Sequence, residues 1–241
     1  MRAPRFFAAA LPTEPGALLP LEGEEATHLA RVLRLKPGAE VEVFDGAGGA
    51  GRFKLDAVDR RRALLRLEQR TDDDRELPFT LVLAVAPPKP KRAQRLIEAL
   101  TELGVTRLHA LTTEHTQSRP WRTDEVERWA LEASKQCGRN RLLEPGEPLD
   151  LEGLLREVAL ADLTLVGDVD DVDRPPDLRG ALAQQPPTRI VIAVGPEGGF
   201  SAAERGALLA GGMRPLRLGR TVLRVETAAT ALVSAVVAVL A

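Results

Sequence analysis

The sequence predicts an α/β protein, with a mostly parallel sheet covered by helices on both faces and a small β-barrel before it. Nearly continuous apolar segments at 79–86, 163–167 and 189–194 alternate with helical patterns. Such segments are typical of strands buried on both faces of a parallel sheet. Residues 71–78, TDDDRELP, have no apolar periodicity and predict a linker. We therefore expect two domains, 1–72 and 73–241.

The first domain is predicted from short segments that alternate apolar and polar residues. Residues 41–44 alternate and end at Asp45-Gly46, a typical hairpin turn. Residues 52–58 and 64–67 continue the pattern and complete a small barrel. Apolar residues at helical spacing predict one helix over 24–35, ended by Pro37-Gly38.

The second domain is predicted from helices between apolar strands. Ser201 and Glu204 have the spacing of a capping box at the start of a helix. Predicted helices cover 91–103, 123–136, 151–159, 201–210 and 226–240, and further short strands cover 107–112 and 216–218.

The composition excludes several classes of protein. Apolar residues make up 44 % and charged residues 28 % of 241, as in globular proteins, which excludes a disordered or collagenous chain. The single cysteine, Cys137, excludes a disulfide scaffold and suits a reducing compartment, so we expect a cytoplasmic protein. The apolar segment 228–241 is shorter than the roughly 20 residues of a membrane span and predicts a buried helix. The first residues lack the pattern of a secretory signal.

The charge is distributed unevenly. The net charge is −2, yet residues 87–142 carry 11 basic and 7 acidic side chains and residues 143–241 carry 9 and 14. A basic middle permits a polyanion partner without demonstrating one. The run 60–62, three arginines, is interpreted as a solvated face in preference to a specific site.

The strongest local motif follows the strand predicted at 189–194 and reads Gly195-Pro196-Glu197-Gly198-Gly199-Phe200-Ser201. Ligands of parallel α/β sheets bind beyond the carboxyl ends of strands, and glycines allow close backbone approach. The alternative is an ordinary strand-to-helix turn. The motif is neither the dinucleotide fingerprint nor a P-loop, which disfavours a nucleotide-dependent dehydrogenase.

A second motif covers 218–229, LGRTVLRVETAA, and joins a glycine turn to an apolar helix. Arg224 and Glu226 are placed near the carboxyl edge of the sheet. The alternative is that these two residues form a surface ion pair and that Thr227 caps the helix. A surface ion pair contributes little to the stability of a protein.

These two motifs together resemble the SPOUT methyltransferases, and among them the bacterial ribosomal RNA small subunit methyltransferase E family. Segments 28–34, 98–105, 111–114 and 132–139 continue the resemblance along nearly the whole chain. The chain departs from the family pattern at His115-Thr116, at Cys137 and in the stretch 88–91, PKPK.

The resemblance implies a PUA-like N-terminal barrel, a C-terminal trefoil knot and a homodimer formed by the C-terminal domain. It implies methyl transfer from S-adenosyl-L-methionine to N3 of a uridine in 16S ribosomal RNA, within an assembled small subunit, without metal or membrane. A ribosome-assembly protein that binds RNA without turnover is the alternative. The cofactor-binding residues implied by the matched motifs are Gly167, Gly195, Pro196, Glu197, Gly198, Gly199, Leu218, Gly219, Leu223, Val225, Thr227 and Ala228.

The implied chemistry gives roles to three residues of the matched motifs. A neutral uracil N3–H is a poor nucleophile, so its proton must leave and the charge on O2 and O4 must be stabilised. Arg224 is the candidate for charge stabilisation, and Glu226 or Glu197 for a base or an orienting group. The expected RNA contacts on the barrel are Arg5, His28, Arg31 and Arg34.

Overall fold

A computed structural model describes residues 3–71, 75–167, 186–219 and 221–240. The chain divides into two compact units, Met1–Glu76 with Leu131–Leu142, and Leu77–Ala130 with Leu143–Ala241. The first unit thus ends close to the expected boundary at residue 72. It also includes Leu131–Leu142, where the chain returns to it from the second unit. That return is stabilised by buried polar contacts, among them Arg139 Nη2 donating to Glu76 Oε2 at 2.7 Å.

The first unit is built on a five-stranded sheet in the order β1-β3-β4-β5-β2. Only β1 and β3 pair in parallel. Its core contains Phe6, Leu29, Val43, Phe53 and Leu65. The strands are β1 Arg5–Phe7, β2 Leu18–Glu22, β3 Glu40–Phe44, β4 Ala50–Val58 and β5 Arg62–Thr71.

The helix expected over 24–35 is shorter in the structure. It consists of α1, Gly23–Thr27, and a π-helical turn, His28–Val32. Arg34 then has a φ of 53°, which is left-handed backbone and ends the helix before Pro37. The turn leaves Val32 67 % exposed, although its spacing predicted a core position.

Arg5 is the one expected RNA contact that the structure places in the protein interior. Its side chain is 2 % exposed, and Nε lies 3.0 Å from Glu42 Oε1. Nη1 donates to the carbonyl oxygens of Ser134 and Arg139, and Nη2 donates to Asn140. The assignment of Arg5 to RNA phosphates is therefore corrected, because its guanidinium binds groups of the protein.

The second unit is built on a six-stranded sheet in the order β11-β9-β10-β6-β7-β8, and all of its pairs are parallel. The two central strands are β6 and β10, whose sequences are nearly continuously apolar. The strands are β6 Thr80–Val85, β7 Arg107–Ala110, β8 Glu144–Pro145, β9 Leu163–Gly167, β10 Arg189–Val194 and β11 Arg214–Leu216.

Helices cover both faces of this sheet, as predicted. Leu81 and Leu83 of β6 pack on one face with the helices at 90–102 and 225–240. Val82 and Ala84 pack on the other face with the helices at 151–158 and 202–210. None of the described helices is long and apolar enough to cross a bilayer. The helices are α2 Pro90–Glu102, α3 Thr123–Cys137, α4 Leu151–Val158, α5 Ala202–Ala210 and α6 Val225–Leu240, with α3 contributing residues to both units.

Candidate functional site

A cavity of about 360 Å³ lies where β9, β10 and β11 end beside one another. Its volume is within the usual range of small-molecule sites. The structure brings together every residue predicted for the cofactor except Thr227. The lining of this first cavity is Gly167, residues 194–200, Arg205, residues 216–219, residues 221–223, Val225, Ala228 and Leu232.

Glycine is required at three points of this cavity. A Cβ on Gly195 would lie 2.9 Å from the Phe200 ring, and one on Gly167 would lie 2.9 Å from Leu232 Cδ1. Gly199 has a φ of 72°, in the left-handed region that side chains disfavour. The absence of a side chain at Gly195 and Gly167 therefore allows the backbone to pack directly against Phe200 and Leu232 in the cavity wall.

A buried carboxylate holds the loop 195–201 in place. Glu204, 9 % exposed, accepts the Ser201 N–H at 2.9 Å through Oε2. Its Oε1 accepts the Glu114 N–H at 2.8 Å, from the segment after β7. Ser201 Oγ accepts the Glu204 N–H at 3.4 Å, which confirms the predicted capping box. One side chain thus caps α5 and connects two loops of the sheet's carboxyl edge.

His115 makes a second connection between the same loops. Its Nδ1 lies 3.1 Å from the Gly199 carbonyl oxygen, to which it donates. A Cβ on Gly198 would lie 3.1 Å from His115 Cβ, so the imidazole covers this glycine closely. The departure from the family pattern at His115 is therefore a contact to the glycine-rich loop.

A second cavity adjoins the first one and shares Glu197 and Gly198 with it. Its walls come from the start of α2, from the segment after β7, from the glycine-rich loop and from the residue before α6. The lining of this second cavity is Lys89, Arg92, residues 114–118, Glu197, Gly198 and Arg224. Two cavities thus meet at one wall, at the end of the strands.

The candidate catalytic residues separate into different surroundings. Glu197 is exposed and lines both cavities, and Arg224 is exposed and lines the second. Glu226 lies 3.3 Å from Arg92 through Oε1, with its side chain 21 % exposed. Glu226 Oε2 is buried without a hydrogen-bond partner among the described atoms. The ion pair of Glu226 is thus with Arg92, whereas the sequence suggested Arg224.

Sequence reasoning missed Lys89, Arg92 and Glu204 as residues of this site. Lys89 and Arg92 follow β6, so their place after an apolar strand was a usable signal. The ion pair of Arg92 with Glu226 of the last motif joins segments that are far apart along the chain, so the sequence gives no sign of it. Glu204 was recognised as a cap, but its bond to Glu114 joins residues 90 positions apart.

The remaining expected RNA contacts, His28, Arg31 and Arg34, are exposed in the first unit. His28 lines a surface depression with Val32, Arg61 and Arg62. The turn before β5 is fixed by Asp59, whose carboxylate accepts the Arg61 and Arg62 N–H groups at 2.8 Å. These bonds lower the pKa of Asp59. The arginine run, interpreted as a solvated face, thus adjoins an expected contact.

No group of three or more potential metal ligands occurs within the described ranges. The first cavity is lined mostly by backbone, apolar and charged groups, and the second is lined by cationic, carboxylate, imidazole, hydroxyl and amide groups.

The chain is similar to known RNA methyltransferases over most of its length. Residues 75–237 match an RNA methyltransferase domain, and residues 21–68 match an RNA methyltransferase PUA domain. A ribosomal RNA small subunit methyltransferase E from Synechocystis is 34 % identical over 89 % of this chain and 71 % of its own length.

Solved structures show the same similarity. A methyltransferase from Legionella pneumophila in complex with the cofactor SAM has a TM-score of 0.84, with 29 % identity over 99 % of this chain and 98 % of the other. A ribosomal RNA small subunit methyltransferase E from Neisseria gonorrhoeae, bound to S-adenosyl methionine, has a TM-score of 0.79, with 26 % identity over 97 % and 96 %. The chain belongs to the ribosomal RNA small subunit methyltransferase E family of RNA methyltransferases.

Proposed function

We propose that this protein transfers a methyl group from S-adenosylmethionine to N3 of a uridine in 16S ribosomal RNA. The observation that carries the proposal is the pair of cavities that share Glu197 and Gly198. One cavity has glycine backbone and apolar walls, and the other is lined by cations and hydrogen-bonding groups. A methyl donor in the first cavity and an acceptor nucleotide in the second would meet at the shared wall.

The first cavity fits the methyl donor. Leu218, Leu223 and Ala228 supply apolar surface for an adenine ring, and the loop 195–199 supplies main-chain hydrogen-bonding groups. Gly195 and Gly167 let the backbone pack closely against Phe200 and Leu232, which also line this cavity. The relatives solved with bound S-adenosyl methionine support this assignment. The bound cofactor supplies an activated methyl group, so the protein's task is largely positioning.

The chain's own residues then handle the proton and the charge of uracil. Removal of the N3 proton leaves negative charge shared between O2 and O4. Arg224, exposed at the second cavity, stabilises this charge, which the neutral base does not carry. Glu197 lines both cavities and accepts the proton or orients the base. Glu226, which is paired with Arg92, is the other candidate for the base or the orienting group.

The proposal includes further properties that the family resemblance implies. Residues 1–72 dock RNA as a PUA-like domain, and residues 73–241 bind the cofactor, form a trefoil knot and dimerise. The substrate is the assembled small subunit, in the cytoplasm. The match of residues 21–68 to an RNA methyltransferase PUA domain supports the docking role.

Calorimetric titration with S-adenosylhomocysteine, followed by methyl transfer to small subunits from a strain that lacks the enzyme, tests the proposal. We expect saturable binding and a methyl group that mass mapping places on one uridine of 16S RNA. An RNA-binding assembly protein without turnover would bind the subunits and transfer nothing, which would overturn the proposal.

A further inference from the structure

We propose that the second cavity binds the phosphodiester group next to the target uridine, with Lys89 and Arg92 as its anchors. The inference rests on the proposed function and names the part of the substrate that this cavity holds. It assigns a binding role to two residues outside the matched motifs of the family.

Lys89 is placed to meet an anion. It is the N-cap residue of the thirteen-residue helix α2, it is exposed, and its side chain makes no capping hydrogen bond. Pro90 follows as the first helical residue. The helix N-terminus adds partial positive charge to that of the ammonium group. The side chain lines the cavity and serves no described structural contact there.

Arg92 is oriented by Glu226 and also lines the cavity. Its Nη1 lies 3.3 Å from Glu226 Oε1, and its side chain is 34 % exposed. A guanidinium group has five N–H donors in a planar fork, so one carboxylate leaves donors for a second acceptor. The ion pair therefore orients the guanidinium group and leaves some of its N–H donors available to a ligand in the cavity.

The lining of the second cavity favours backbone phosphate and sugar over a stacked base. Lys89, Arg92 and Arg224 are cations, and Gln117 and Ser118 offer an amide and a hydroxyl group. The Thr116 hydroxyl is already bonded to Thr113. His115 is the only ring in the described lining, and its Nδ1 is bound to Gly199. Bases bound without pairing usually stack on aromatic rings, whereas phosphates bind lysine, arginine, hydroxyl groups and helix N-termini.

The negative groups at this cavity restrict where a phosphate can lie. Glu114 and Glu197 both line it and would repel an anion. Lys89 and Arg92 belong to the α2 side, and Glu197 belongs to the loop shared with the first cavity. The phosphate thus lies on the α2 side, and the uracil lies towards Glu197 and Gly198, where the methyl group arrives.

The experiment measures single-turnover methyl transfer to unmethylated small subunits, over a range of subunit concentrations and several salt concentrations. Lys89→Ala should raise the half-saturating subunit concentration by about fivefold at 0.1 M salt and flatten the log–log salt dependence by about 0.7, the value of one single-strand phosphate contact. The maximal rate should stay the same. Lys89→Arg should keep the wild-type behaviour, because it keeps the charge.

Lys91→Ala is the matched control, since Lys91 is exposed on the same helix and lines neither cavity. We expect it to behave as the wild type. If Lys89→Ala and Lys91→Ala have the same effect, or if Lys89→Ala lowers the maximal rate alone, the proposal is wrong.

Titration with S-adenosylhomocysteine separates the phosphate from the other anion at hand, the carboxylate of the cofactor's amino-acid part. The phosphate assignment requires equal affinity in wild type and Lys89→Ala, and a weaker affinity in the variant would overturn it. A wild type that binds S-adenosylhomocysteine and methylates subunits, with a silent Lys89→Ala, refutes this inference alone. A wild type that does neither refutes the proposed function itself.

Discussion

Arg224 and Glu226 are only two residues apart, yet the structure gives them different neighbours. Glu226 pairs with Arg92, and Arg224 is exposed at the second cavity. A purely structural role for Arg224 would need a buried partner, and Glu226 is not that partner. The geometry therefore favours a role in stabilising charge on the substrate.

Arg224→Ala should lower the single-turnover rate of methyl transfer by about 10²–10³-fold, the effect of losing one donor to a developing anion. Its melting temperature should stay near that of the wild type, because the side chain is exposed. Single-turnover kinetics, subunit affinity and thermal unfolding are measured on the same preparation. A rate loss that disappears after correction for the unfolded fraction would contradict the catalytic assignment.

Gly198→Val should abolish binding of S-adenosylhomocysteine in calorimetric titration. A Cβ there already lies 3.1 Å from His115 Cβ, so a branched side chain must displace either His115 or the glycine-rich loop. The positive φ of this loop is at the neighbouring Gly199, so the effect at Gly198 is steric. Gly206→Ala is the control, since nothing lies within 4 Å of its Cβ position on α5. Unchanged titration by folded Gly198→Val would contradict the prediction.

At the level of single residues, the sequence predicts what belongs to one continuous motif and little of what crosses between motifs. Gly195 to Gly199 and Leu218 to Ala228 were found because a motif keeps its neighbours together. Arg92 was missed because its partner, Glu226, is far along the chain. Arg5 was misassigned because a cation near the start of a strand gives no sign that it is buried.

At the level of elements, strands buried on both faces were the most predictable part of the fold. β6 and β10 have apolar residues on successive positions, which only a covered parallel sheet requires. β1 and β8 were missed because they are short and are defined by pairing with neighbouring strands. β2 was missed because it contains Pro20, a residue that disfavours a strand except at a sheet edge. The predicted strand at 216–218 is shifted to Arg214–Leu216, since Pro215 pairs with Val166 of β9.

Asp162 fixes the approach to β9 and β10, and its charge makes the stability of this sheet depend on pH. Its carboxylate accepts hydrogen bonds from Thr188 Oγ1 at 2.7 Å, Thr188 N–H at 2.8 Å and Arg189 N–H at 2.9 Å. The hydrogen bonds from the Thr188 hydroxyl and the two N–H groups hold the pKa of Asp162 below its usual value. The folded state therefore binds the proton more weakly than the unfolded chain does.

Asp162→Asn should lower the free energy of unfolding at pH 7, where the carboxylate is charged. The lowered pKa makes this contribution complete above about pH 4 and removes it as the pH falls through the folded-state pKa. The difference between wild type and variant should therefore shrink from pH 7 to pH 3 in urea denaturation. A difference that grows on acidification would show that the carboxylate is not the stabilising form.

At the scale of the whole molecule, α6 supports the proposed homodimer. The helix is apolar almost all round, and Ala231, Ala235, Val237, Val239 and Leu240 are only half-buried. An ordinary surface helix has a polar outer face. Sedimentation velocity at micromolar concentration should give the mass of a dimer. A monomer under these conditions would count against the dimer.

The two units should divide RNA affinity from cofactor affinity. Arg34→Ala, on the exposed turn of the first unit, should weaken subunit binding and flatten its log–log salt dependence by about 0.7–0.9, as loss of one phosphate contact does. Its S-adenosylhomocysteine affinity should equal that of the wild type. Arg34→Lys controls for charge. Equal salt dependence of Arg34→Ala and wild type would remove Arg34 from the RNA contacts.

The return of Leu131–Leu142 to the first unit has a consequence for how the protein is made. Arg5 is synthesised 129 residues before Ser134, whose carbonyl oxygen it binds. At cellular rates of elongation this interval is on the order of 10 s. Until then Arg5 lacks its hydrogen bonds to Ser134 and Arg139, and Glu76 lacks its ion pair with Arg139. The first unit is thus completed only after Leu142 has been synthesised, and its nascent form lacks these buried contacts until the segment Leu131–Leu142 emerges.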